Sequence, residues 1–132
     1  MKNLAVAKFG GSAIGIDGKL IPIIIKRIND LKKDAKVIAV FSAPLTLHEG
    51  KQRSLTDIAI MIGQKAQAGE DTGVENLRNP YQKILEFVDK KYQYECKKTI
   101  DSFLEKATKA IKQALEKKEF AEIGRASCRE RV

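Results

Sequence analysis

Lys8-Phe9-Gly10-Gly11-Ser12 gathers a cation, two glycines and a hydroxyl into one short stretch near the amino terminus. Glycine accepts positive φ and lets another backbone or a ligand approach closely. Successive N–H groups in such a turn make a concave anion site. Lys8 places a point charge beside it, and Ser12 adds a hydroxyl donor. This is the chemistry of a phosphate cradle. The same residues also read as a plain turn after a strand, and spacing alone favours the turn. The stretch is neither a P-loop, since no Gly-Lys-Ser/Thr follows, nor a Gly-x-Gly-x-x-Gly fingerprint. Two further stretches carry polar groups at chain bends. Ser42-Ala43-Pro44 is a serine before a proline turn, and Ser54-Leu55-Thr56-Asp57 places a capping serine three residues before a carboxylate. A helix start presents unpaired N–H groups, which suit a carboxylate ligand. Each of the two also has a purely structural reading, as a strand end and as a helix cap.

The elements that must hold these groups follow from periodicity. The run from Leu4 is short and apolar, which predicts a buried strand. Lys36 to Phe41 predicts a second one, and its near-continuous apolar character predicts cover on both faces, as in a parallel sheet. Between them a helix is expected from about residue 19 to 33. Asp17 is its candidate N-cap, Pro22 lies in its first turn, and Leu20, Ile24, Ile28 and Leu31 face inward. Strand, helix, strand is a βαβ unit, and ligands of such sheets collect at the carboxyl ends of the strands. Gly10-Gly11-Ser12 and Ser42-Ala43-Pro44 both lie there. Residues 45–53 read as a loop, with His48 exposed. A helix then runs from Ser54 to about Ala68, with Ile58 and Ile62 inward and Gly69 as its stop. A loose segment follows to Asn79. Asn79-Pro80 reads as N-cap and first position of the next helix, with Tyr81, Ile84, Leu85, Val88 and Tyr92 on one face. Thr99 opens the last helix, with Ile100, Phe103, Leu104, Ala107, Ile111 and Leu115 inward. The expected class is α/β, a parallel βαβ start followed by several helices.

Lys8-Phe9-Gly10-Gly11-Ser12 at the chain start resembles the opening signature of the aspartokinases, within the amino acid kinase family. Ser42-Ala43 after the second strand and Thr56-Asp57 at a helix start resemble the same family, although the segment between them is longer than usual and Thr46 competes with Thr56. The resemblance covers roughly residues 1–121, with its sharp motifs in the first half. It implies a partial three-layer α/β/α amino acid kinase fold. It also implies transfer of the γ-phosphoryl of MgATP to the side-chain carboxylate of L-aspartate, the first step toward lysine, threonine and methionine. Lys8 would be the catalytic cation. Lys8, Gly10, Gly11 and Ser12 would face the phosphates of ATP, and Ser42, Ala43 and Thr56 would shape the acceptor pocket. His48 has no role as a base, because a carboxylate acceptor needs no proton removed. Sister kinases of the family use other acceptors, such as acetylglutamate, a carbamate or a nucleoside monophosphate. The later Gly-Arg-Gly-Gly-Ser-Asp and Trp-Thr-Asp stretches of aspartokinases are missing, and the chain has no Trp. Residues 1–121 are therefore expected to be an acceptor-side lobe without its nucleotide lobe or magnesium ligands, inactive alone. The intact enzyme is expected to be a homo-oligomer.

Residues 122–132, Glu-Ile-Gly-Arg-Ala-Ser-Cys-Arg-Glu-Arg-Val, resemble the in-frame translation of a DNA-sequencing adapter and are read as a non-native tail. Without its three Arg and two Glu, the remainder holds 22 basic and 15 acidic residues, a net +7 in place of +8. Its one cysteine, Cys96, cannot form an internal disulfide, which fits a reducing compartment. No second Cys or His stands near it at metal spacing. No apolar run reaches membrane-span length and no signal peptide is recognised, so a cytoplasmic location without a membrane partner is expected. The lysines are mixed with Glu and Asp along the helices, which reads as solvated faces. A small basic protein binding nucleic acid is the contrasting class. It lacks a clustered stripe or a reading helix, so no nucleic-acid partner is expected.

Overall fold

The structure, a computed structural model, describes residues 2–117. The expected boundary at residue 121 and the tail 122–132 lie outside the described residues. The chain runs β1 (Asn3–Phe9), α1 (Gly11–Ile14), α2 (Ile21–Asp34), β2 (Ala35–Phe41), β3 (Leu45–His48), β4 (Lys51–Ser54), α3 (Leu55–Gln67), α4 (Glu75–Leu85) and α5 (Lys90–Glu116). It is a mixed α/β molecule with a parallel strand pair and several helices.

β1 and β2 pair in parallel, with Val6 opposite Ile38 and Phe9 opposite Phe41. Parallel neighbours need a crossover, and α2 supplies it. One face of the pair carries Ala5, Ala7, Val37 and Ala39, small enough for α2 to pack closely. At the carboxyl end Phe9 stacks on Phe41, with ring centroids 5.4 Å apart. The other face is bare: Leu4 is 65% and Val6 67% exposed, and Ile38 and Val40 are also exposed. This corrects the expectation of cover on both faces. An apolar run reveals that both sides of a strand are greasy, but not how many layers reach it.

α2 begins at Ile21 with Pro22 in its first turn, where a missing N–H costs little. Its inward face is Ile24, buried, with Ile28 and Leu31 half-buried; Leu20 precedes the helix and is exposed. Asp17 does not cap it. It adopts a left-handed backbone, φ 54°, in the preceding turn.

Residues 45–53 are not a loop. β3 and β4 form an antiparallel hairpin with Thr46 opposite Arg53 and His48 opposite Lys51. Glu49 (φ 51°) and Gly50 (φ 73°) both take positive φ, as a two-residue type I′ turn requires. β4 leads straight into α3. There Ser54 Oγ accepts from the Asp57 N–H at 3.1 Å, the expected cap. Gly69, at φ 90°, follows the end of α3, also as expected.

α4 starts at Glu75, so Pro80 lies inside it rather than opening it. Proline has no N–H to give the Asn76 carbonyl one turn back. Burial of Val74, Leu77 and Pro80 outweighs that loss. Thr99 is likewise interior to α5, its hydroxyl donating to the Glu95 carbonyl at 3.1 Å. Such back-bonding lets threonine sit mid-helix instead of at a cap. The core joins Leu55, Ile58, Ile62 and Ala66 of α3 to Leu77 of α4 and to Leu104 and Ile111 of α5. Phe103, expected inward, is exposed. No helix among the described residues is long and apolar enough to cross a membrane.

Candidate functional site

The carboxyl ends of β1 and β2 lie side by side, since the Ser42 N–H donates to the Phe9 carbonyl at 2.9 Å. Gly10 and Ser42 therefore leave the sheet as neighbours. Gly10 is extended, φ −75° and ψ 172°, and is the N-cap of α1. The glycine segment is thus the opening of a single helical turn rather than an open loop. The Ala13 and Ile14 N–H groups return to the Gly10 carbonyl at 3.0 and 3.1 Å. The first N–H groups of a helix, here Gly11 and Ser12, have no intrahelical acceptor. The Ser12 side chain is exposed.

The two glycines differ. A Cβ on Gly11 would stand 3.0 Å from the Ala43 carbonyl and 3.2 Å from Leu45 Cδ2. Packing is therefore tight at Gly11, where a side chain would have to displace its neighbours by a few tenths of an ångström. At Gly10 a Cβ would meet nothing within 4 Å, and its φ suits any residue. Neither strain nor crowding accounts for glycine at 10.

α3 begins against the same strand end. The Leu55 N–H donates to the Pro44 carbonyl at 2.9 Å. Ala43, Leu55, Thr56, Tyr81, Phe103 and Leu104 line one groove of about 320 Å³. The structure thus brings together Gly10, Gly11 and Ala43, with the Ser42 backbone beside them, and joins Ala43 to Thr56. Two of the expected residues stand apart. Ser42 is exposed and lines a different hollow, beside Ile14, Ile24 and Phe41. Lys8 is exposed on the bare sheet face opposite Val40 and is not among the residues lining the groove. Its amine has no partner among the described residues.

Thr46, the competing threonine, is 5% exposed and its hydroxyl donates to Asp17 Oδ1 at 2.8 Å. That hydroxyl is engaged within the fold, whereas Thr56 is exposed. The other oxygen of Asp17 pairs with Lys83 Nζ at 3.3 Å. Sequence reasoning missed this cluster. The flanking Gly15 and Gly18, both at positive φ, were its only local signal.

His48 is not on an exposed loop. It ends β3 with its side chain 20% exposed and Nε2 3.9 Å from Glu49 Oε1. It lines a cavity of about 100 Å³ with Lys65, Thr72 and Asn76. Cys96 is a free, half-buried thiol in an apolar groove with Tyr81, Ile84 and Ile100. Among the described residues no group of His, Cys, Asp or Glu is placed to hold a metal ion. No protein-family model, no curated protein and no solved structure matches the chain.

Proposed function

We propose that this chain carries the acceptor-side part of an amino acid kinase domain, serving transfer of the γ-phosphoryl of ATP to the side-chain carboxylate of L-aspartate. The supporting observation is the convergence of two strand ends and a helix start: Gly11 packs against Ala43, and Ala43 shares a groove with Thr56. In the reaction a carboxylate oxygen attacks the γ-phosphorus. The bond to the β,γ-bridging oxygen breaks, ADP leaves, and an acyl phosphate remains. An ionised carboxylate has no proton to lose, so no base is needed. Positioning and neutralisation of charge supply the rate.

In this reading the Gly11 and Ser12 amides and the Ser12 hydroxyl hold phosphate oxygens over the open space at Gly10. Lys8 swings its unpaired amine toward the transferring group. Thr56 and the start of α3 take the acceptor carboxylate beside Ala43; Ser42 lines a different hollow and is not assigned to it. No carboxylate cluster stands at these residues, so no magnesium ligand is assigned to this chain and no step is routed through the metal. The 132 residues contain neither of the family's nucleotide-facing stretches. The purified chain is therefore expected to bind its ligands weakly without turning over.

The test is two-dimensional amide NMR. MgATP is expected to shift Gly10, Gly11 and Ser12, and the shifts should weaken in Lys8→Ala. L-aspartate is expected to shift Leu55 and Thr56. Millimolar ligand that leaves all five amides unmoved would overturn the reading. One feature favours a sister kinase as the second reading. The groove beside Thr56 is lined by Leu55, Tyr81, Phe103 and Leu104, more apolar surface than aspartate needs. Stronger shifts with N-acetylglutamate than with aspartate would select that second reading.

A further inference from the structure

We infer that Asp17 is a positioning residue, whose carboxylate ties the turn after the glycine segment to the hairpin and to α4 and so sets Gly10–Ser12 against the start of α3. Asp17 joins its own turn to two elements, β3 and α4, through three contacts. Its N–H donates to the Leu45 carbonyl at 2.8 Å, next to the parallel bridge between Ile16 and Leu45. Its Oδ1 accepts from the buried hydroxyl of Thr46 at 2.8 Å. Its Oδ2 pairs with Lys83 of α4 at 3.3 Å, and the side chain is only 13% exposed.

The backbone is shaped for this contact. Asp17 takes φ 54°, a conformation in which Asp and Asn are enriched over other side chains. Gly18 packs so closely that a Cβ there would stand 2.8 Å from Ile21 and 3.0 Å from Ile84. Lys83 and Ile84 thus bring α4 to this turn from two sides. The connection then runs both ways along the chain. Upstream, α1 holds Gly11 against Ala43 and Leu45. Downstream, β3 pairs with β4, which ends at the Ser54 cap of α3. One carboxylate therefore lies between the phosphate-facing turn and the acceptor-facing helix end.

A hydrogen bond to a charged, mostly buried group contributes more than one between neutral groups. Losing it should loosen the joined segments locally before it unfolds the molecule. The functional half of this inference rests on the proposed reading; the mechanical half does not. Two measurements keep them apart. The first is amide hydrogen exchange of the purified chain. Asp17→Gly keeps the left-handed backbone and deletes the carboxylate. It is expected to speed exchange in 13–17 and 45–48 about tenfold, with α5 unchanged. Asp17→Asn keeps an oxygen for Thr46 and is expected to restore most of the protection. Should Asp17→Gly fail to fold, Thr46→Val carries the same expectation at about threefold. Unchanged exchange, or an equal rise in every element, would overturn the clamp.

The second measurement is titration with pyrophosphate, read at Gly11 and Ser12. The affinity is expected to fall about fivefold in Asp17→Gly and to recover in Asp17→Asn. A fall that Asn does not reverse, or no fall at all, would overturn the positioning role. If the unaltered chain binds no pyrophosphate, the phosphate reading of the turn fails, and exchange alone decides the clamp.

Discussion

Gly10 and Gly11 are identical side by side in the chain and answer to different constraints. Gly11 is crowded by the Ala43 carbonyl and the Leu45 side chain. Gly11→Ala is expected to push against that backbone and cost about 1–3 kcal/mol, read by urea denaturation. Gly10 meets neither crowding nor a special φ. Gly10→Ala is expected to leave stability within about 0.5 kcal/mol of the unaltered protein. It should nevertheless weaken the pyrophosphate-induced shifts, because the new methyl enters the open space over the turn. Equal pyrophosphate binding by Gly10→Ala would remove that position from the site. The sequence shows the pair but not which glycine the fold crowds, since that depends on what β2 and β3 bring alongside. Ser54 was legible for the opposite reason: its bond to the Asp57 amide closes within one turn and requires no other element. Asp17 was misread because a polar residue before a helix looks like a cap. Its actual partners, Thr46 and Lys83, lie 29 and 66 residues away.

At the scale of elements, period and length decided what could be read. β1, α2, β2 and α3 have sustained patterns, and their expected extents match the structure closely. The hairpin escaped because each strand has four residues and its turn carries Glu49, where Asn or Asp is the usual signal. That mismatch is testable. Glu49 holds φ 51° with a side chain that disfavours it. Its one charged contact among the described residues, His48 at 3.9 Å, is an ion pair only when the imidazole is protonated and is worth little. Glu49→Asn is expected to raise stability by about 0.5–1 kcal/mol, measured as a higher urea midpoint at unchanged slope. A lower midpoint would mean that Glu49 has a role the turn does not reveal. The start of α4 was misplaced because Asn79-Pro80 is a good helix opening in isolation. Apolar contacts of Val74 and Leu77 draw the helix back to Glu75, and the proline is carried inside. Long-range burial overrode a local signal that was sound on its own terms.

At the scale of the whole molecule, the helical core and the strand pair are finished to different degrees. α3, α4 and α5 bury their apolar faces on one another, while the outer face of β1 and β2 remains open. Leu4, Val6, Ile38 and Val40 lie next to one another there, with the pairing Val6 to Ile38 at the centre. Contiguous apolar surface of this kind, bounded by unpaired strand edges, promotes association. Lys8 and Lys36 flank it, and the net charge of +8 repels copies of the chain from one another. The two effects respond oppositely to salt. Screening is weak at low ionic strength and shortens to about 3 Å at 1 M, while apolar attraction persists. Sedimentation velocity is therefore expected to show monomer in low salt and growing self-association as sodium chloride is raised. Val6→Thr with Ile38→Thr keeps the β-branched shape and should suppress the association. Its effect on stability should be small, because both side chains are already solvated in the monomer. Association that falls with salt, or that survives the double substitution, would place the sticky surface elsewhere on the molecule.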